Sequence, residues 1–165
     1  MNKRVLSLLV DNTSGVLSRI AGLFSRRGYN IDSLTVGETA DPRYSRMTVV
    51  VNGDDKILDQ ITKQLAKLVD VVDIKPLADN ESVSRELVLV KVRADGQNRQ
   101  AIIGITDIFR AKIIDVGIDS RINELTGIQS KIDAFIRLLE GYEILELART
   151  GITGLSRGAE DVRYL

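Results

Sequence analysis

The stretch that decides the fold is Arg4-Val5-Leu6-Ser7-Leu8-Leu9-Val10, followed by Asp11-Asn12-Thr13-Ser14-Gly15 and then Val16-Leu17-Ser18-Arg19-Ile20-Ala21-Gly22-Leu23-Phe24. The first seven residues favour β structure and are almost continuously apolar, as in a strand at the centre of a sheet. Asp11 to Gly15 is a dense run of turn and helix-cap residues. Val16, Leu17, Ile20, Leu23 and Phe24 then recur at helical spacing, with Arg19, Arg26 and Arg27 on the other side. Gly28 ends the helix, as a left-handed cap does.

Working outward, Ile31 to Gly37 reads as a second strand, Asp41-Pro42-Arg43 as a turn, and Met47 to Val51 as a third strand. Ile57, Leu58, Ile61, Leu65 and Leu68 form the stripe of a second helix, and Val71 to Leu77 closes the unit. The order βαββαβ predicts an α+β sandwich of the ferredoxin-like type, with strand order 4-1-3-2 and the second strand on an edge. Asp79-Asn80-Glu81-Ser82 is short and polar, the candidate linker. The same order then begins again. Leu87 to Val92 is a strand, Asn98 to Phe109 a helix, and Lys112 to Val116 and Ser120 to Thr126 are strands. Ile128, Ile132, Phe135, Ile136 and Leu139 mark a helix, and Tyr142 to Ala148 a last strand. The prediction is two consecutive ferredoxin-like sandwiches, in residues 1–78 and 84–165. Only Arg121-Ile122-Asn123-Glu124-Leu125 fails to alternate cleanly.

Composition narrows the chemistry. The 165 residues include no Cys, His or Trp, and 23 Lys plus Arg balance 23 Asp plus Glu. Disulfides, thiolate chemistry, Cys/His zinc sites and imidazole-based triads are therefore excluded. A net charge of zero gives no global field for nucleic acid or anionic lipid. The aromatic platform of an RNA-recognition module is missing from both presumptive central strands. No apolar run is long enough for a membrane span, and Met-Asn-Lys-Arg leads directly into a strand, so the expected location is cytoplasmic.

The residues with binding potential lie between the first strand and the first helix. A helix N-terminus offers backbone N–H groups and partial positive charge to a carboxylate or phosphate. Gly15 admits close approach to the backbone, and the Asn12 amide both donates and accepts. Such a loop can grip an amino acid; it is equally a helix cap. Asn30, just before the second strand, is either a second polar contact or a turn residue. The paired carboxylates Asp54-Asp55 and Asp70/Asp73 read as helix start and loop solvation. The segment with Gly151, Gly154 and Gly158 matches no phosphate-binding fingerprint and reads as a docking segment or a free end.

The runs Leu17-Ser18-Arg19, Leu23-Phe24-Ser25-Arg26-Arg27-Gly28-Tyr29-Asn30-Ile31 and Ser33-Leu34-Thr35-Val36 resemble the small regulatory subunits of acetolactate synthase. The resemblance continues in Ser45 to Val51, Lys63 to Val71, Ile108 to Lys112, Lys131 to Phe135 and Glu146 to Gly151, and so spans nearly the whole chain. It implies an N-terminal ACT domain and an ACT-like C-terminal domain, without catalytic residues or a cofactor of its own. It implies a homodimer and a large catalytic subunit carrying thiamine diphosphate, Mg2+ and FAD, which this chain activates. It also implies feedback inhibition by a branched-chain amino acid, valine foremost. By the same resemblance, effector contacts are Asn12, Gly15, Val16 and Leu17 of one chain with Asn30 and Ile31 of its neighbour. The alternative is a stand-alone ACT-type amino-acid sensor with a different target.

Overall fold

A computed structural model describes residues 2–159 and contains thirteen elements. In the first half, β1 (Lys3–Asp11), α1 (Val16–Arg27), β2 (Ile31–Glu38), β3 (Tyr44–Asn52), α2 (Asp55–Leu65) and β4 (Val71–Pro76) follow the expected order. In the second half, β5 (Ser82–Arg93), α3 (Arg99–Phe109), β6 (Lys112–Val116), β7 (Ser120–Gly127), α4 (Gln129–Leu139) and β8 (Ile144–Arg149) repeat it, and β9 (Thr153–Ser156) is added. The two four-strand paths have the same order, β2-β3-β1-β4 and β6-β7-β5-β8, and β9 pairs with β5 off the second path. The predicted ferredoxin-like βαββαβ class therefore holds in both halves.

The caps were chemically legible. Gly28 closes α1 at φ 71°, where its missing Cβ removes the strain, and its N–H reaches the Phe24 and Ser25 carbonyls. Asp54 caps α2 by accepting from the Ile57 N–H at 2.9 Å. Asp55, in the first turn of that helix, pairs with Arg4.

Of the described residues, 2–84 together with 152–159 form one compact unit, and 85–151 form another. The described residues from Ile152 onward thus lie with the first unit, whereas the sequence reading carries the second domain through to 165. Packing explains their placement. Across the first sheet, Thr35, Thr48, Ser7 and Lys75 stand in register on β2, β3, β1 and β4. The Ile152 carbonyl accepts from Thr35 Oγ1 at 3.2 Å, the Gly154 N–H donates to Thr48 Oγ1 at 3.3 Å, and Lys75 Nζ donates to Ser156 Oγ at 3.2 Å. Three strand spacings of about 4.8 Å are matched by four residues of extended chain at about 3.3 Å each. The segment is a strap laid across the strands, on the sheet face opposite the helices. Gly154 is required there, since a Cβ would meet Ser84 Oγ at 2.9 Å, Leu77 Cδ1 at 3.0 Å and the Val83 carbonyl at 3.1 Å.

Each unit has its own core. Leu6, Leu8, Val49, Ile20, Phe24 and Ile61 lie in the first, and Val88, Val90, Ile102, Ile132, Phe135 and Leu139 in the second. In the second unit, Arg149 joins Glu86 through two bonds of 2.9 Å and reaches Asp133 at 2.8 Å. Those carboxylates hold the guanidinium charged, the Glu86 hydrogen bonds most strongly.

Candidate functional site

The end of β1 delivers Asn12 and Gly15 to the start of α1. Gly15 is the N-cap at φ 86°, a backbone conformation open to glycine and costly for most residues. No side chain caps the helix, and its first turn carries no acidic residue. The first-turn amides therefore face outward with the positive end of the helix dipole, suited to a carboxylate.

Asn12 is exposed, and its Nδ2 donates to the Pro42 carbonyl at 2.9 Å and to Glu38 Oε2 at 3.4 Å. Its amide nitrogen is thus committed, and the oxygen is the group left to accept. With the Glu38 carboxylate beside it, this corner favours an ammonium. Leu17 is 48% exposed and Val36 49% exposed, giving the neighbourhood an apolar component. Val16 behaves otherwise: its side chain is buried in the core, and its backbone N–H, the group left at the surface, donates to the Thr13 carbonyl at a long 3.5 Å.

Arg19 and Asp70 belong to this corner, although nothing in the sequence reading assigned them to it. Arg19 Nε and Nη2 donate to the Asp70 carboxylate at 2.6 and 3.0 Å. The Arg19 Nη1 lies 2.8 Å from where a Gly15 Cβ would stand, so the glycine makes room for the guanidinium. Hydrogen bonding from Arg19 holds the Asp70 carboxyl below its usual range and raises the Arg19 pKa in turn. Asp70 is buried, not loop solvation, because this pair and the Asp11 N–H bond to its carbonyl at 2.9 Å fix it against β1. The readable signal was the four-residue spacing from Gly15 to Arg19, one helical turn.

Asn30 and Ile31 lie elsewhere in the same chain. Ile31 is aligned through Val51 with Arg4, at the far end of β1 from Asn12. Eight residues of strand separate those ends by roughly 26 Å. Here Asn30 Nδ2 donates to Asp32 Oδ1 at 3.2 Å, and Asn52 Nδ2 to both Asp32 oxygens at 2.8 and 2.7 Å. Ile31 packs half-buried against the core. The chain gathers Asn12, Gly15, Val16 and Leu17 at one end and Asn30 and Ile31 at the other. On the β2 edge, Ser33 and Thr35 are half-buried and Val36 is exposed, because Thr35 turns toward the strap.

Among the described residues no group of three or more acidic side chains is placed to hold a metal ion, and no helix is long and apolar enough to cross a membrane.

Comparison with known proteins covers both units. Residues 6–73 match the family model described as the AHAS small subunit-like ACT domain, and residues 85–158 that of the small subunit of acetolactate synthase. A probable acetolactate synthase small subunit of Methanothermobacter thermautotrophicus is 51% identical over 156 residues, 94% of this chain and 93% of that protein. The acetolactate synthase isozyme 3 small subunit of Escherichia coli is 49% identical over 162 residues, 98% of this chain and 99% of its own. The crystal structure of the acetolactate synthase small subunit from Thermotoga maritima matches with a TM-score of 0.90 at 45% identity, covering 96% of this chain and 99% of that one.

Proposed function

As the chain belongs to the family of acetolactate synthase small subunits, a regulatory subunit with an ACT domain, we propose that it binds a branched-chain amino acid, valine foremost, between two copies of itself. The binding event feeds back on a separate catalytic subunit, which this chain also activates. Thiamine diphosphate, Mg2+ and FAD reside on that partner, and the complex works in the cytoplasm. Effector binding and pairing are carried by residues 1–78, and the C-terminal domain is built on residues 85–151, from which the strap returns to the first unit.

One observation carries the reading: the two halves of the candidate site stand at opposite ends of an edge strand. Among the described residues, β2 is an edge of the first sheet, paired only with β3. Two β2 edges meeting about a two-fold axis run antiparallel. That arrangement sets Asn30 and Ile31 of the partner subunit beside Glu38, whose carboxylate lies next to Asn12. The α1 amides, helped by Arg19, take the effector carboxylate; Asn12 Oδ1 and Glu38 take the ammonium; Leu17 lies beside the aliphatic side chain. Two equivalent sites follow from the symmetry.

Effector shifts the assembly only by its difference in affinity between two states, and the catalytic subunit must change effector affinity by the same factor. Isothermal titration of the full chain with valine, leucine and isoleucine tests the binding. Saturable heat with at least one is expected; no heat with any overturns it. Selectivity among them will be modest, since one methylene is worth about 1–3 kcal/mol in an apolar pocket. Co-purification with a large thiamine-dependent protein distinguishes this reading from a sensor with another target.

A further inference from the structure

The irregular run at Arg121 to Leu125 has a structural explanation that leads to a second site. In β7 the buried positions alternate regularly: Arg121, Asn123 and Leu125 all face inward. The strand is a normal half-buried one in which two core positions carry polar residues. Asn123 is 0% exposed, and its Oδ1 accepts from Thr106 Oγ1 on α3 at 3.0 Å. Arg121 is only 9% exposed.

Four buried polar atoms here have no hydrogen-bond partner among the described residues: Asn98 Oδ1, Arg99 Nε, Arg121 Nε and Asn123 Nδ2. Neither Arg99 nor Arg121 forms an ion pair among those residues. Arg121 is buried and Arg99 half-buried, and folded proteins rarely leave buried donors such as their Nε–H groups unsatisfied. The nearby carboxylates are engaged: Asp95 Oδ1 accepts from the Gln97 and Asn98 N–H groups, and Asp119 pairs with Arg93.

These groups share one end of the second unit. Arg121 is directly across the ladder from Val92, the Ala94 N–H donates to the Asp119 carbonyl at 2.8 Å, Asn98 Nδ2 to the Arg93 carbonyl at 3.3 Å, and Arg99 Nη2 to the Ile118 carbonyl at 3.2 Å. Along β7, Arg121 precedes Asn123 by two residues, roughly 6.6 Å. Along α3, Ile102 precedes Thr106 by about 6 Å. Arg121 therefore lies under the first turns of α3, where Asn98 is the N-cap and the first turn has no acidic residue.

We infer that Asn98, Arg99 and Arg121 form a binding site for a phosphate-type oxyanion in the second unit, with Asn123 bounding its inner side. Two unpartnered Nε donors on charged guanidinium groups suit the anionic oxygens. The unpartnered Asn98 acceptor suits the single P–OH of a hydrogen phosphate. The site is separate from the effector corner, and its failure leaves the proposed function untouched.

Isothermal titration of the full chain with inorganic phosphate, against sodium chloride of equal ionic strength, tests the inference. One saturable site per chain is expected. Arg121→Met, which keeps the side-chain bulk, and separately Arg99→Met should each weaken it at least about tenfold, while valine binding is retained as a check of folding. A parallel titration with glycerol phosphate identifies the source: saturation by both means a phosphoryl group on a larger molecule, by phosphate alone the free ion. No saturable phosphate binding overturns the site, as does affinity unchanged in both variants, or saturation by acetate and not by phosphate.

Discussion

The two βαββαβ units share a topology and differ on the sheet face turned away from their helices. In the first unit that face is closed. Ser7, Leu9, Thr48 and Val50 are all buried there, with Leu9 1% exposed, and the strap from Ile152 to Ser156 crosses the row through Thr35 and Thr48. In the second unit the corresponding residues, Leu87, Leu89, Ile122 and Glu124, are only half-buried. The difference is written into the strands: five consecutive residues of β1 are buried, whereas β5 alternates along most of its length. A strand covered on both faces needs no polar alternation, and one covered on a single face keeps it. The second difference is internal: the second unit buries Arg121, Asn123 and Thr106 beside its apolar cluster, whereas the buried helix-facing positions of β1 and β3 in the first are apolar apart from Ser45.

The largest expected effect breaks the second unit alone. Arg149→Met leaves Glu86, only 3% exposed, buried without its cation. A loss of about 3–5 kcal/mol is expected on removing one partner of such a pair. Hydrogen exchange should show β5 and β7 amides past Arg85 exchanging faster, with β1 and β3 unchanged. Equal loss of protection in both sheets would mean that the units do not unfold separately.

Gly154→Ala acts on the first unit. The added Cβ meets three atoms at 3.1 Å or less, and overpacking of this kind costs about 1–3 kcal/mol. The expected sign is faster exchange at Thr48 and Val50 and a lower melting temperature. Full protection at those amides would show that the strap is incidental to the closed face.

The smallest effect is confined to acid. Because Arg19 holds the Asp70 carboxyl below its ordinary range, the pair stabilises fully above a carboxylate pKa of about 4 and is lost as pH falls through the depressed value. Asp70→Asn should therefore lower the melting temperature near neutrality. The gap from the parent should then narrow as both are titrated below a pH of about 4, through the depressed carboxyl value. A gap independent of pH would assign the loss to packing.

Much of this was open to reading. Element order followed from periodicity and from punctuation at Gly28 and Asp54, both chemically specific. The strap was not legible, because Thr153-Gly154-Leu155-Ser156 is too short to alternate and owes its position to Thr35, Thr48 and Lys75, far back in the chain. Of the residues expected to contact an effector, Asn12, Gly15 and Leu17 lie together between β1 and the first turn of α1. The Val16 side chain is turned away from that corner, because the register that places Ile20 and Phe24 inward also turns Val16 inward. Arg19 and Asp70 are 51 residues apart, a pairing that only the fold brings about. Arg121 and Asn123 break the apolar alternation of β7 because polar residues occupy two of its buried positions.

The central claim is that one effector site is completed by two chains, and complementation measures it directly. Asn12→Ala and Asn30→Ala should each abolish or greatly weaken valine binding, since each damages both sites of a symmetric dimer. Unfolded together in equal amounts and refolded, they form mixed dimers in which one site carries both lesions and the other carries none. The account predicts that the mixture regains about a quarter of the parental number of high-affinity sites, as random pairing about a two-fold axis requires. If the mixture binds no more valine than the two variants kept apart, Asn12 and Asn30 do not serve a common site and the account is wrong.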